Sequence, residues 1–157
     1  MTPMTKDAVL VTVDVKASQQ RAFDVFTSKF GSWWPMEHHI GSEPAVDAVI
    51  EPRAGGRWFE RSADGRECDW GSVLEWEPPA RVLLAWHLNP EFHYEPDPAL
   101  ATEVEVRFIA ESPSTTRVEL EHRGFEVHGG QGATMRTAVA APEGWGGIVQ
   151  RYVAVVA

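Results

Sequence analysis

Strict two-residue alternation in two successive stretches constrains this chain most. Over residues 102 to 109, Val104, Val106 and Phe108 alternate with Glu103, Glu105 and Arg107; over 116 to 122, Val118, Leu120 and His122 alternate with Arg117, Glu119 and Glu121. A charge at every second position requires one face of each strand to meet water, which a parallel sheet covered on both sides does not allow. The expectation is an antiparallel sheet with a polar face, where Glu103, Glu105, Glu119 and Glu121 form a solvated row. Residues 8 to 16 repeat the pattern, with Val9, Val11, Val13 and Val15 on one side. Further strands are expected at 45 to 50, 57 to 61, 67 to 76 and 81 to 88. The turns between them are Pro52-Arg53-Ala54-Gly55-Gly56, Ala63-Asp64-Gly65 and Glu77-Pro78-Pro79-Ala80. The period then changes. Trp145, Ile148, Val149, Tyr152, Val153 and Val156 recur at helical spacing, predicting a terminal helix about 18 Å long.

After the first strand, Ser18 offers an N-cap, and Phe23, Phe26 and Phe30 mark a short amphipathic helix ending near Gly31. Trp33-Trp34-Pro35 predicts a second helical turn stopped by the proline. Residues 133 to 141 predict a weak helical segment, and Pro142 suits the first turn of the terminal helix. The fold expected is α+β: a curved antiparallel sheet of six to seven strands wrapped round a long C-terminal helix, with two short helices after the first strand. No internal repeat or linker-like tract divides the chain, so residues 1 to 157 are expected to form one domain.

Composition narrows the function. The net charge is −9 and no run of Lys or Arg occurs, which argues against nucleic acid or an anionic membrane as partner. No apolar stretch approaches a membrane span and no basic leader precedes an apolar segment, so a cytoplasmic location is expected. The single cysteine, Cys68, excludes an internal disulfide and a cysteine-based zinc site, and its neighbours Glu67 and Asp69 are expected to raise its pKa. There is no Gly-x-Ser-x-Gly elbow, no P-loop and no nucleotide-binding glycine pattern. Arg57 and Arg61, which share one strand face, are expected to pair with Glu51, Glu60 or Glu67. The aromatic balance is unusual: seven Trp and seven Phe against two Tyr. Rings without a hydroxyl are disfavoured on a surface, so they line a core or a cavity.

Several segments match a known family. These are Ala22-Phe23-Asp24-Val25-Phe26, Trp33-Trp34-Pro35, Pro52-Arg53-Ala54-Gly55-Gly56-Arg57-Trp58, Gly71-Ser72-Val73-Leu74-Glu75-Trp76-Glu77-Pro78-Pro79, Leu84-Ala85-Trp86, the stretch from Thr116 through His122, and Gly144-Trp145. The chain resembles the START/birch-pollen-allergen (SRPBCC) superfamily, in the branch homologous to the activator of heat-shock-protein-90 ATPase. The resemblance spans residues 8 to 155 and implies a helix-grip fold with a hydrophobic cavity between sheet and terminal helix. Trp33-Trp34-Pro35, Gly55-Gly56-Arg57-Trp58 and Val118-Glu119-Leu120-Glu121-His122 are also similar to START-type self-resistance proteins of enediyne producers, which implies a sacrificial role.

The candidate binding residues are Trp33, Trp34, Trp58, Trp76, Trp86, Phe108, His122, Trp145, Val149 and Tyr152, with Trp70 a further wall candidate. Of the adjacent pair Trp33 and Trp34, only one can face the cavity mouth. The entrance is expected beside them and the proline-rich loop carrying Phe92 and Tyr94. His122 faces inward by alternation, where it either anchors a polar ligand group, serves as a base, or is a structural histidine bonded within the core. Neither a catalytic set nor a metal-ligand set can be assembled, and no cofactor is expected. The function expected is binding of a hydrophobic or aromatic small molecule without catalysis, by a monomer or homodimer. The alternatives are a protein–protein adaptor of the co-chaperone kind, self-resistance against an enediyne-type metabolite, or an enzyme using His122.

Overall fold

A computed structural model describes residues 8 to 156. Seven strands form one antiparallel sheet: β1 (Val9–Val15), β2 (Ala45–Ile50), β3 (Arg57–Ser62), β4 (Glu67–Glu77), β5 (Arg81–Trp86), β6 (Thr102–Ser112) and β7 (Thr115–Arg123). Their spatial order is β1-β7-β6-β5-β4-β3-β2, so β1 crosses to the far edge while the other strands follow one another by hairpins. Between β1 and β2 lie α1 (Gln19–Thr27) and a one-turn 3-10 segment, Phe30–Ser32. Ser18 caps α1, its Oγ accepting the Arg21 amide at 3.2 Å. After β7 come a 3-10 stretch (Phe125–Gln131), α2 (Gly132–Ala140) and α3 (Trp145–Val156). The sheet curls round α3, a helix-grip fold.

The alternating faces behave as their side chains require. Val104, Val106, Phe108, Val118 and Leu120 are all buried on the concave face. On α3 the residues Trp145, Ile148, Val149, Tyr152 and Val156 are buried against it. Two long-range bonds fasten α1 to α3: the Tyr152 hydroxyl donates to the Ala22 carbonyl at 2.7 Å, and Arg21 Nε donates to the Val156 carbonyl at 2.9 Å. A third, from Arg151 Nε to the Trp33 carbonyl at 2.9 Å, ties α3 to the segment after the 3-10 turn.

Two bulges in β4 decide which side chains reach the concave face. Trp58 pairs with Gly71 and Phe59 with Asp69, leaving Trp70 as an extra residue. Alternation would put Trp70 opposite to Gly71; the bulge instead turns it inward, where it is buried. A second irregularity between Val73 and Glu75 leaves Leu74 unpaired and exposed. Gly71 stands between Trp58 on β3 and Trp86 on β5. Its missing side chain keeps the ladder closed, because a Cβ there would collide with the Ala85 carbonyl.

The convex face departs from the sequence expectation. Its glutamates are not a free solvated row but a lattice of ion pairs. Arg81 bonds Glu75, Glu77 and Glu105; Arg107 bonds Glu105, Glu119 and Glu121; Arg123 bonds Glu103, Glu105 and Glu121. Charges of opposite sign fall within reach because each arginine sits directly across from, or diagonal to, a carboxylate on the next strand. Arg57 pairs with Glu67 and Asp69, and Arg61 with Asp47 and Glu67, whereas the Glu60 carboxylate accepts from the Ile40 and Gly41 amides and from Trp70. Pro142 lies in the turn before α3 rather than in its first turn. A Cβ at Gly144 would strike the Val139 carbonyl, so that glycine lets the α2–α3 turn fold onto α2.

Candidate functional site

The head of α3 does not reach the sheet along its whole width, and a cavity of about 450 Å³ remains there. Four tryptophans wall it: Trp34 after the 3-10 turn, Trp70 from the β4 bulge, Trp86 at the end of β5, and Trp145 at the start of α3. Ile40, Leu88, Ile148 and Val139 add to the apolar lining, and Phe92 stands at the margin. The rings brace one another: Trp34 lies 4.9 Å from Trp70 and 6.1 Å from Trp145, and Trp86 lies 5.7 Å from Trp145. Tilted and edge-to-face packing at these separations holds each ring in place, which leaves the walls preformed.

The polar groups of the cavity come from one side, the segment Glu37, His38, His39 and the α2–α3 turn with Glu143. His38 Nε2 donates to the Glu143 carbonyl at 3.1 Å, linking two chain segments 105 residues apart at that margin. Beneath this segment lies Glu60, fully buried, whose carboxylate accepts the Ile40 amide at 2.7 Å, the Gly41 amide at 3.2 Å and Trp70 Nε1 at 2.8 Å. One carboxylate thus fixes both the loop wall and a tryptophan wall. Among the described residues neither lysine nor arginine lines the cavity. Trp86 Nε1 and Trp58 Nε1 are buried without an acceptor among the described residues.

Of the ten residues expected from sequence, the structure brings Trp34, Trp86 and Trp145 to the cavity. Trp33 takes the other direction from Trp34, packing on Phe26 and Tyr152 and donating Nε1–H to the Val25 carbonyl at 3.0 Å. Trp58 stands behind the wall, 5.6 Å from Trp86. Trp76 and Phe108 pack on Phe23 at 5.0 and 5.2 Å. Val149 and Tyr152 are buried on α3 beyond the first turn. The Tyr152 hydroxyl serves α1 rather than the cavity rim, and burial raises its pKa.

His122 lies one layer behind the wall. Trp145 Nε1 can only donate, and it does so to His122 Nδ1 at 2.9 Å. Nε2 therefore carries the proton and donates to Thr102 Oγ1 at 2.8 Å. Complete burial lowers the imidazole pKa from 6.5 to about 3, with His128 adding a smaller push in the same direction. Such a group stays neutral and holds Trp145 in position; it does not touch the cavity. The residues that sequence reasoning missed are Ile40, Leu88, Ile148, Val139 and the polar segment 37 to 39. Leu88 and Ile148 lay on recognised apolar faces, but nothing local marks a loop residue as a wall. The Cys68 pKa is raised as expected, though by burial first and by Glu60 and then Asp69 rather than by Glu67. Among the described residues no group of three His, Cys, Asp or Glu side chains converges on a metal position, and no helix is long and apolar enough to cross a membrane.

An anthrahydroquino-γ-pyrone synthase, Txn09, is 35% identical over 94% of this chain and 96% of its own, with a TM-score of 0.66. A self-sacrificing resistance protein, CalC from Micromonospora echinospora, is 28% identical over 95% of this chain and 93% of its own, with a TM-score of 0.68. Protein NE0264 from Nitrosomonas europaea shares the fold at 15% identity, a TM-score of 0.67 and coverage of 99% and 97%. Curated proteins provide no match. Residues 16–156 match the model of the Activator of Hsp90 ATPase homolog 1-like protein family, and the chain belongs to that family.

Proposed function

We propose that this protein binds a flat, fused-ring aromatic small molecule in the cavity at the head of α3. The observation that carries the reading is the wall of Trp34, Trp70, Trp86 and Trp145 round a cavity of about 450 Å³, room for a molecule of several rings. Burying about 300 Å² of apolar ligand surface contributes about 7 kcal/mol before the cost of association, consistent with micromolar binding at best. The likeness to a synthase whose product name describes a fused hydroquinone–pyrone supports the same class of ligand. With carboxylates and, among the described residues, no cation at the margin, a neutral ligand is favoured over an anionic one.

Titration with 1,8-dihydroxyanthraquinone, followed by tryptophan emission and calorimetry, tests the reading. Saturable one-site quenching is expected, weakened when Trp145→Ala removes a wall. No quenching by this or comparable ring systems overturns it. The 35% identity to a synthase favours a second reading, ring closure within the same cavity with His38 or His39 handling a proton. It predicts conversion of a linear poly-β-ketone to a cyclised product in a mass spectrum, lost in the His38→Ala and His39→Ala double variant.

A further inference from the structure

The hairpin extension beyond β5 carries a backbone outlier. Leu88 bridges Tyr94, and the tip between them is pinned round Asn89: its amide donates to the His93 carbonyl at 2.9 Å, its carbonyl accepts the Phe92 amide at 2.8 Å, and its Oδ1 accepts the amides of Glu91 at 2.9 Å and His93 at 3.0 Å. This closed tip forces Phe92 to φ 61°, and among the described residues it is the one non-glycine residue with positive φ. Glycine or asparagine occupies such a position at little cost, while a bulky aromatic is strained there. The ring gains little from the fold in return. It is 38% exposed, and no other ring packs on it among the described residues, whereas Tyr94 two residues later stacks on His87 at 5.8 Å. Phe92 nevertheless lines the cavity, alongside Leu88 and Trp86.

Strain retained at a solvent-exposed aromatic points to a use outside folding. Resting on the ligand class proposed above, we infer that Phe92 is a ligand-contacting, specificity-determining residue: its ring forms the outer wall that closes on the exposed end of the bound ring system. The four tryptophans grip the inner end, and the tip supplies the remaining face. In that left-handed conformation the ring reaches the cavity margin.

The test compares the full chain with Phe92→Gly, Phe92→Asn and Phe92→Tyr, measuring thermal melting and calorimetric affinity for 1,8-dihydroxyanthraquinone. Gly and Asn relax the backbone and remove the ring, so melting is expected at or above the wild-type temperature while affinity falls about tenfold, the weight of one ring contact. Tyr restores the ring and is expected to restore affinity. Wild-type affinity in the Gly and Asn variants overturns the assignment of Phe92 alone, as does a lowered melting temperature in both, which makes the ring structural. Failure of the wild-type chain to take up the probe overturns this inference together with the cavity reading beneath it.

Discussion

Acid should unfasten this fold through His122 before it reaches the carboxylates. The imidazole is completely buried, bonded on both nitrogens, and has a pKa lowered from 6.5 to about 3. In the unfolded chain it protonates near 6.5; in the folded chain it stays neutral. Between those values the unfolded state binds more protons, so stability is full above pH 6.5 and is lost as pH falls toward 3. From pH 7 to pH 5 this one group removes about 2 kcal/mol, at about 1.4 kcal/mol per pH unit below its unfolded pKa. Glu67 and Glu105, whose pKa values are held below the ordinary 4.5 with help from their arginine partners, contribute their loss only at lower pH. Urea unfolding at pH 7, 6 and 5 should therefore show a steep decline in the wild type and a shallower one in His122→Gln, where an amide can still accept from Trp145 and donate to Thr102. His128, also lowered by burial, titrates in both proteins and cancels in the comparison. Equal slopes in the two proteins refute the assignment of a buried neutral imidazole.

Tyr152→Phe should cost about 1 kcal/mol in urea unfolding, because it removes a buried hydrogen bond to the Ala22 carbonyl, which keeps its helical partner within α1; a loss below about 0.5 kcal/mol places the hydroxyl in contact with water instead. Gly71→Ala should cost about 3 kcal/mol or more by thermal melting, since the new Cβ meets the Ala85 backbone rather than a side chain that can turn away. A melting temperature equal to wild type shows that β4 and β5 part freely at that point.

Element order, strand faces and the terminal helix were legible because each rests on a period that burial enforces along a continuous stretch. Val104 through Phe108 and Trp145 through Val156 carry their own register. The cavity was less legible because it is built where periodicity ends. Trp70 faces inward only through a bulge, and no alternation rule places the extra residue of a bulge. Trp33 and Trp34 are adjacent, and their opposite directions were foreseeable; which of them meets the cavity depends on the Val25 carbonyl that claims the Trp33 indole. His122 was correctly read as inward, but its partner Trp145 arrives from 23 residues away, so its role behind the wall depends on tertiary contact. The convex ion-pair lattice escaped notice because alternation reports which residues face outward, not which charges meet across strands.

That lattice has a mechanical consequence for the opposite side of the sheet. From Glu75 and Glu77 on β4, through Arg81 on β5 and Glu105 and Arg107 on β6, to Glu119, Glu121 and Arg123 on β7, most contacts run across the strands, while Arg107–Glu105 and Arg123–Glu121 lie along one strand. Backbone hydrogen bonds set the spacing of neighbouring strands but resist bending of the whole sheet poorly. Transverse struts on the outer surface oppose flattening, and Glu105 and Arg123 at its centre are shielded enough from water that salt weakens them little. The curvature is thereby held from outside. The concave side is freed from having to pack completely to keep its shape, and a cavity at the head of α3 can persist without the walls closing on it.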